Sequence, residues 1–189
     1  MPAARSIRCF IALSFPADVR AQLGELIRVL QFAGADVKWV DPANIHLTLK
    51  FLGEVSQQQA DDVRGQITLL DGRHQRMETR LTEAGAFPGL RRPQIIWAGL
   101  ADPPRLHALN ADIEDRMHNI GFARENRGFT PHLTLGRVRS PRDLQRLAQL
   151  IPETRVEPVP FTMTTLALFR SILTPAGPRY EPLATIELG

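Results

Sequence analysis

Cysteine is almost absent from this 189-residue chain: Cys9 stands alone, so no internal disulfide can form, and a reducing, cytosolic setting is expected. Cys9 lies in an apolar segment and reads as buried packing. Lysine is nearly missing too, with Lys38 and Lys50 the only two, which leaves the cationic charge to arginine. No apolar run is long enough to span a bilayer, and the N-terminus lacks a basic region followed by a long apolar stretch and a small-residue cleavage site, so a soluble cytoplasmic protein without membrane contact is expected. Gly-x-Ser-x-Gly, Gly-x-x-x-x-Gly-Lys-Ser/Thr and Gly-x-Gly-x-x-Gly are all absent, which disfavours the serine-hydrolase elbow and the two common nucleotide-binding loops. At this length a core can form without metal or disulfide props.

What is present is a mild basic excess, a net charge of +3 and a pI near 9.7. That permits an anionic partner without naming one. Arg91, Arg92, Arg124, Arg127, Arg137, Arg139 and Arg142 gather around the second copy of a repeated tetrapeptide. Their planar forks suit phosphate, although an ordinary solvated surface would look the same.

The repeat is His46-Leu47-Thr48-Leu49, returning as His132-Leu133-Thr134-Leu135. Each copy sits in an apolar run and reads as a strand. Because side chains alternate along a strand, the leucines face a core, while the histidine and threonine share the other side about 7 Å apart. Such a face is half of an anion site. The histidines are 86 positions apart, close to half the chain.

Around the repeat, strands are expected at 8–13, 37–40, 45–51, 76–84, 94–100, 161–171 and 180–187, with the second motif strand at about 132–135. Residues 37–40 and 45–51 read as a hairpin-like return through Asp41-Pro42. Helices are expected at 17–32, after a Ser56 cap up to Asp71-Gly72, at 106–120 with Gly121 as C-cap, and from Ser140-Pro141 to about Leu150. Residues 85–93 form a glycine- and proline-rich loop carrying Arg91 and Arg92. The two halves share one order of elements, so an internal duplication is expected, giving two α+β lobes around a pseudo-two-fold cleft, and the connections look too short for the crossovers of an all-parallel sheet. The whole chain, 1–189, then forms one domain of two interleaved lobes, one carrying His46 and Thr48 and the other His132 and Thr134.

Two imidazoles flanking one phosphate can serve as an acid and base pair near neutral pH, and threonine hydroxyls can donate to the non-bridging oxygens. Zinc is the competing use of two histidines, but no cysteine or carboxylate stands at ligand spacing beside either motif. His74, His107 and His118 lack the threonine partner and read as ordinary polar residues.

The two complete His-x-Thr motifs, Phe51-Leu52-Gly53-Glu54 after the first, and the block Phe129 to Arg137 around the second resemble the two-histidine phosphoesterase superfamily. Within it they are most similar to the RNA 2',3'-cyclic phosphodiesterases, also called 2'-5' RNA ligase-like proteins. The resemblance implies a bilobal α+β fold with two antiparallel sheets, flanked by helices, facing a central groove, and metal-independent hydrolysis of RNA 2',3'-cyclic phosphate ends to a 2'-phosphomonoester, with no cofactor. It also implies His46 as proton donor, His132 as proton acceptor, Thr48 and Thr134 on the phosphate, and Phe51 and Arg137 against the terminal nucleoside. The partner is then RNA with a cyclic-phosphate end or a cyclic nucleotide, and a monomer is expected. A small cyclic nucleotide, a 2'-5' linkage or reverse ligation would use the same motifs, and a nucleotide-binding module without turnover is the rival of another class. Arg91 and Arg92 receive no role from the resemblance.

Overall fold

The computed structural model describes residues 6–175 and 177–189. The N-terminal stretch on which the expectation about a leader falls includes residues 1–5, which lie outside the described residues. The chain order is β1 (Ile7–Leu13), α1 (Ala17–Gln31), β2 (Val37–Trp39), a 3-10 turn (Pro42–Asn44), β3 (Leu47–Val55), α2 (Gln57–Thr68), β4 (Met77–Phe87), β5 (Ile95–Leu100), α3 (Pro104–Asn119), β6 (His132–Val138), α4 (Leu144–Glu153), β7 (Pro160–Met163), β8 (Thr165–Thr174) and β9 (Gly177–Glu187).

The strands form two sheets, ordered β3-β1-β8-β9 and β2-β6-β5-β4-β7, with every pairing antiparallel. The expected α+β fold with two antiparallel sheets is therefore present. The sheets correspond: motif strand β3 lies against β1 and then β8, as motif strand β6 lies against β5 and then β4. One apolar cluster joins them, drawing Leu23, Val63, Leu109 and Leu147 from the four helices and Leu47, Leu49, Leu133 and Leu135 from the motif strands. Among the described residues no helix is long and apolar enough to cross a membrane.

Local chemistry sets the helix ends. Ser56 accepts the Gln59 N–H while the Gln59 side chain accepts the Ser56 N–H, a reciprocal capping box that starts α2. Gly121, with φ at +97°, closes α3, and the Phe122 N–H reaches back to the Met117 carbonyl.

Four expectations are corrected. β2 does not return on β3; it pairs with β6 in the other sheet, Trp39 opposite Gly136 and Lys38 opposite Arg137. The bare backbone at Gly136 permits this approach, since a Cβ there would stand 2.6 Å from Val37 Cγ1 and 2.9 Å from Trp39 Cε3. Residues 85–87 belong to β4 rather than to a loop, because the Trp97 indole covers Gly85 so closely that a Cβ there would lie 2.2 Å from the ring. α4 starts at Leu144, not at Ser140-Pro141, since Asp143 takes a left-handed φ of 54° and breaks the helical path before it. Residues 161–171 are two strands: β7 pairs with β4, and after Thr164 the chain crosses to the other sheet, where β8 lies between β1 and β9. The apolar rhythm runs through that crossing because both pieces are half-buried.

Candidate active site

β3 and β6 touch each other, and each turns its His-x-Thr side toward one cavity of about 660 Å³. His46, Thr48, His132 and Thr134 all line it, so the two copies of the motif meet at one place. Leu47, Leu49, Leu133 and Leu135 are buried behind them, as strand alternation requires.

Alternation then breaks, at the same step in both strands. Leu49 has no partner on β1, where Ile11 faces Lys50 and Ala12 faces Thr48; Leu135 has no partner on β5, where Ile96 faces Gly136 and Trp97 faces Thr134. Each is the extra residue of a β-bulge, which reverses the phase of the strand beyond it. As a result Phe51 and Arg137, each five residues after its histidine, line the cavity in place of Lys50 and Gly136. The freed carbonyls are both satisfied: Leu49 accepts from Asn110 Nδ2 at 2.9 Å and Leu135 from the Val40 N–H at 2.8 Å.

The imidazoles are held alike. Nδ1 of His46 is 2.7 Å from the Asn44 carbonyl and Nδ1 of His132 is 2.8 Å from the Thr130 carbonyl, each two residues upstream. A carbonyl can only accept, so Nδ1 carries the proton in both rings and Nε2 is left to work in the cavity. His46 stacks on Phe10 at 4.6 Å and meets the edge-on Tyr180 ring at 5.1 Å. This burial pushes its pKa below the usual 6.5, while the bond to Asn44 opposes the shift. His132 stands at the edge of Phe87, 5.0 Å between centroids.

The cavity is cationic. Arg8, Lys38, Arg137 and Arg179 line it against one carboxylate, Asp41, which is occupied in capping the 3-10 turn through the Ala43 N–H. Arg179 is paired with Glu181. Arg8 lies over the Phe51 ring at 4.9 Å from its centroid, and Phe51 is 52% exposed. Desolvation raises the Tyr180 hydroxyl pKa, and the nearby charges of Arg137 and Arg8 counter it.

Of the arginine cluster, Arg137 alone lines the cavity; Arg91, Arg92, Arg127, Arg139 and Arg142 are exposed elsewhere, and Arg124 pairs with Asp115. His74 is bonded to Asp112 and His107 to Asp102, as expected of ordinary polar histidines, while His118 is exposed at the end of α3. Cys9 is fully buried, and desolvation lifts its thiol to about 11, with Glu54 adding and Arg170 opposing. Sequence reasoning missed Arg8, Phe10, Lys38 and Tyr180 as site residues. Arg8 and Phe10 could have been found from alternation with the buried Cys9 and Ile11 on β1. Tyr180 is the single tyrosine of the chain, a signal without a direction.

Two antiparallel sheets that each present a His-x-Thr strand to one cationic cleft define a two-histidine phosphoesterase. The chain belongs to the 2'-5' RNA ligase superfamily, whose family model matches residues 15–173. It is 33% identical to the RNA 2',3'-cyclic phosphodiesterase of Methanothermobacter thermautotrophicus, over 96% of this chain and 99% of that one. To the RNA 2',3'-cyclic phosphodiesterase of Thermotoga maritima it is 30% identical, over 94% of this chain and 93% of the relative. Among solved structures it is similar to Escherichia coli LigT complexed with 3'-AMP, with a TM-score of 0.75 and 29% identity, covering 97% of this chain and 99% of that chain.

Proposed function

We propose that this protein hydrolyses RNA 2',3'-cyclic phosphate ends to 2'-phosphomonoesters by acid-base catalysis between His46 and His132. The enzyme class is that of relatives 30 to 33% identical over most of the chain. The observation that carries the mechanism is the shared tautomer: both rings are fixed through Nδ1 by a carbonyl two residues upstream, which leaves two Nε2 atoms on one cavity.

In this reading His132 Nε2 takes a proton from water, the water oxygen attacks phosphorus, and the bond from phosphorus to the ribose 3'-oxygen breaks. His46 gives its Nε2 proton to that oxygen, so the phosphate stays on the 2'-oxygen. Thr48 and Thr134 donate to the non-bridging oxygens, and Phe51 and Arg137 hold the terminal nucleoside. His46 must be protonated to act, although burial disfavours its charge in the free protein. The phosphate anion of the substrate supplies the compensating charge. Substrate binding thus charges the acid.

Metal independence belongs to the same proposal. Among the described residues no three His, Cys, Asp or Glu side chains gather as a metal cluster, and no step above needs one. The whole chain acts as a single catalytic unit of two lobes, a cytoplasmic monomer, with the reverse attack by a 5'-hydroxyl giving 2'-5' ligation. The test is phosphorus NMR of a cyclic-phosphate dinucleotide treated with the protein in excess chelator. We expect conversion to the 2'-phosphate alone. A 3'-phosphate product, or turnover restored only by Zn²⁺, would overturn the reading.

A further inference from the structure

Lys50 is one of two lysines in the chain and the one charged residue buried among the described residues, its side chain 5% exposed. The bulge at Leu49 turns it away from the cavity, toward α3. There its Nζ donates to both oxygens of Glu114, at 2.8 and 2.7 Å, and to the Ala123 carbonyl at 2.9 Å. Glu114 in turn accepts the Glu125 N–H at 3.2 Å. One helical turn earlier on the same face of α3, Asn110 donates to the carbonyl of Leu49, the bulge residue itself.

These contacts tie the two motifs together. Ala123 and Glu125 lie on the segment that leaves α3 and ends at Thr130, whose carbonyl orients His132. The other end of the tie is β3, between Thr48 and Phe51. A buried ion pair is weak support for stability, since an apolar pair of the same size often serves as well. What an apolar pair cannot do is hold a chosen backbone carbonyl and N–H in place.

We propose that Lys50, Asn110 and Glu114 form a clamp that sets the second motif against the first, which makes them positioning residues for the reaction. The inference rests on the function proposed above. None of the three lines the cavity, so the clamp acts through the bulge that presents Phe51 and through the segment that presents His132.

The test is the double variant Lys50→Met/Glu114→Leu, which removes both charges together and keeps the site filled. With a cyclic-phosphate dinucleotide we expect thermal unfolding within a few degrees of wild type, kcat lower by about 10- to 100-fold as for other small misplacements of catalytic groups, and KM changed much less. The imidazole nitrogen resonances of His132 should move. A folded double variant with wild-type kcat overturns the clamp. If the double variant does not fold, Asn110→Ala takes its place: Asn110 holds the bulge that presents Phe51, so a raised KM with kcat changed less supports the clamp, and wild-type kinetics overturns it. If the wild type turns over no cyclic phosphodiester, the proposed function fails, and the clamp is judged on the imidazole spectra, where unmoved His132 resonances in the double variant overturn it.

Discussion

Phe51 and Arg137 hold the same station in two different strands. Each comes five residues after its motif histidine and two residues after a bulged leucine, and each lines the one cavity. One motif thus delivers an aromatic face where the other delivers a guanidinium, with Arg8 already lying over the aromatic ring. A base that entered between them would find a stacking surface and a cation.

If these two residues hold the nucleoside, Phe51→Ala and Arg137→Ala should each weaken nucleotide binding by about 1–3 kcal/mol, the usual worth of a base-stacking contact. The loss should appear in KM and in the Kd of an unreactive nucleotide, measured by calorimetry, while kcat at saturation changes much less. Unchanged affinity in both variants would remove them from the nucleoside site.

The environment of His46 sets the pH dependence. Burial lowers its pKa below 6.5 in the free protein, and a proton donor is lost as pH rises through its pKa. The His46 imidazole, followed by NMR in the free protein, should therefore titrate below pH 6.5. With an unreactive phosphate-bearing nucleotide bound, the same titration should move to higher pH, because a bound phosphate anion favours the imidazolium. A His46 titration that the bound nucleotide leaves in place would show that the substrate phosphate does not charge this imidazole.

Gly136 tests how the second sheet is built. Gly136→Ala places a methyl 2.6 Å from Val37 Cγ1, so β2 must shift and carry Lys38 and Trp39 with it at the cavity wall. We expect about 1–3 kcal/mol lost in urea unfolding, together with a raised KM. Gly65→Ala is the control: it sits within α2 with nothing within 4 Å of its added methyl, and should stabilise by about 0.5–1 kcal/mol.

The two-lobed plan, the meeting of the two motifs and the burial of their leucines were legible because they rest on local alternation and on one repeated tetrapeptide, while the two antiparallel sheets came from the family resemblance. The strand segments beyond the two threonines were not. Strict alternation would aim Lys50 and Gly136 at the cavity, and a bulge leaves no mark in the apolar pattern, since Leu49 and Leu135 are buried either way. β2 was found but put on the wrong neighbour, because its pairing depends on the missing side chain at Gly136, almost a hundred residues downstream. The crossing at Thr164 was invisible because the apolar residues run on across it: Phe161 and Met163 are buried in β7, and Leu166, Ala167 and Leu168 in β8.

The most direct measurement is kcat on a cyclic-phosphate dinucleotide for His46→Ala and His132→Ala, made beside a binding titration with an unreactive nucleotide. Removing one member of an acid-base pair costs on the order of 10² to 10⁴ in rate. We predict a loss in that range for each variant, with the nucleotide still bound. Full activity in both would contradict the account.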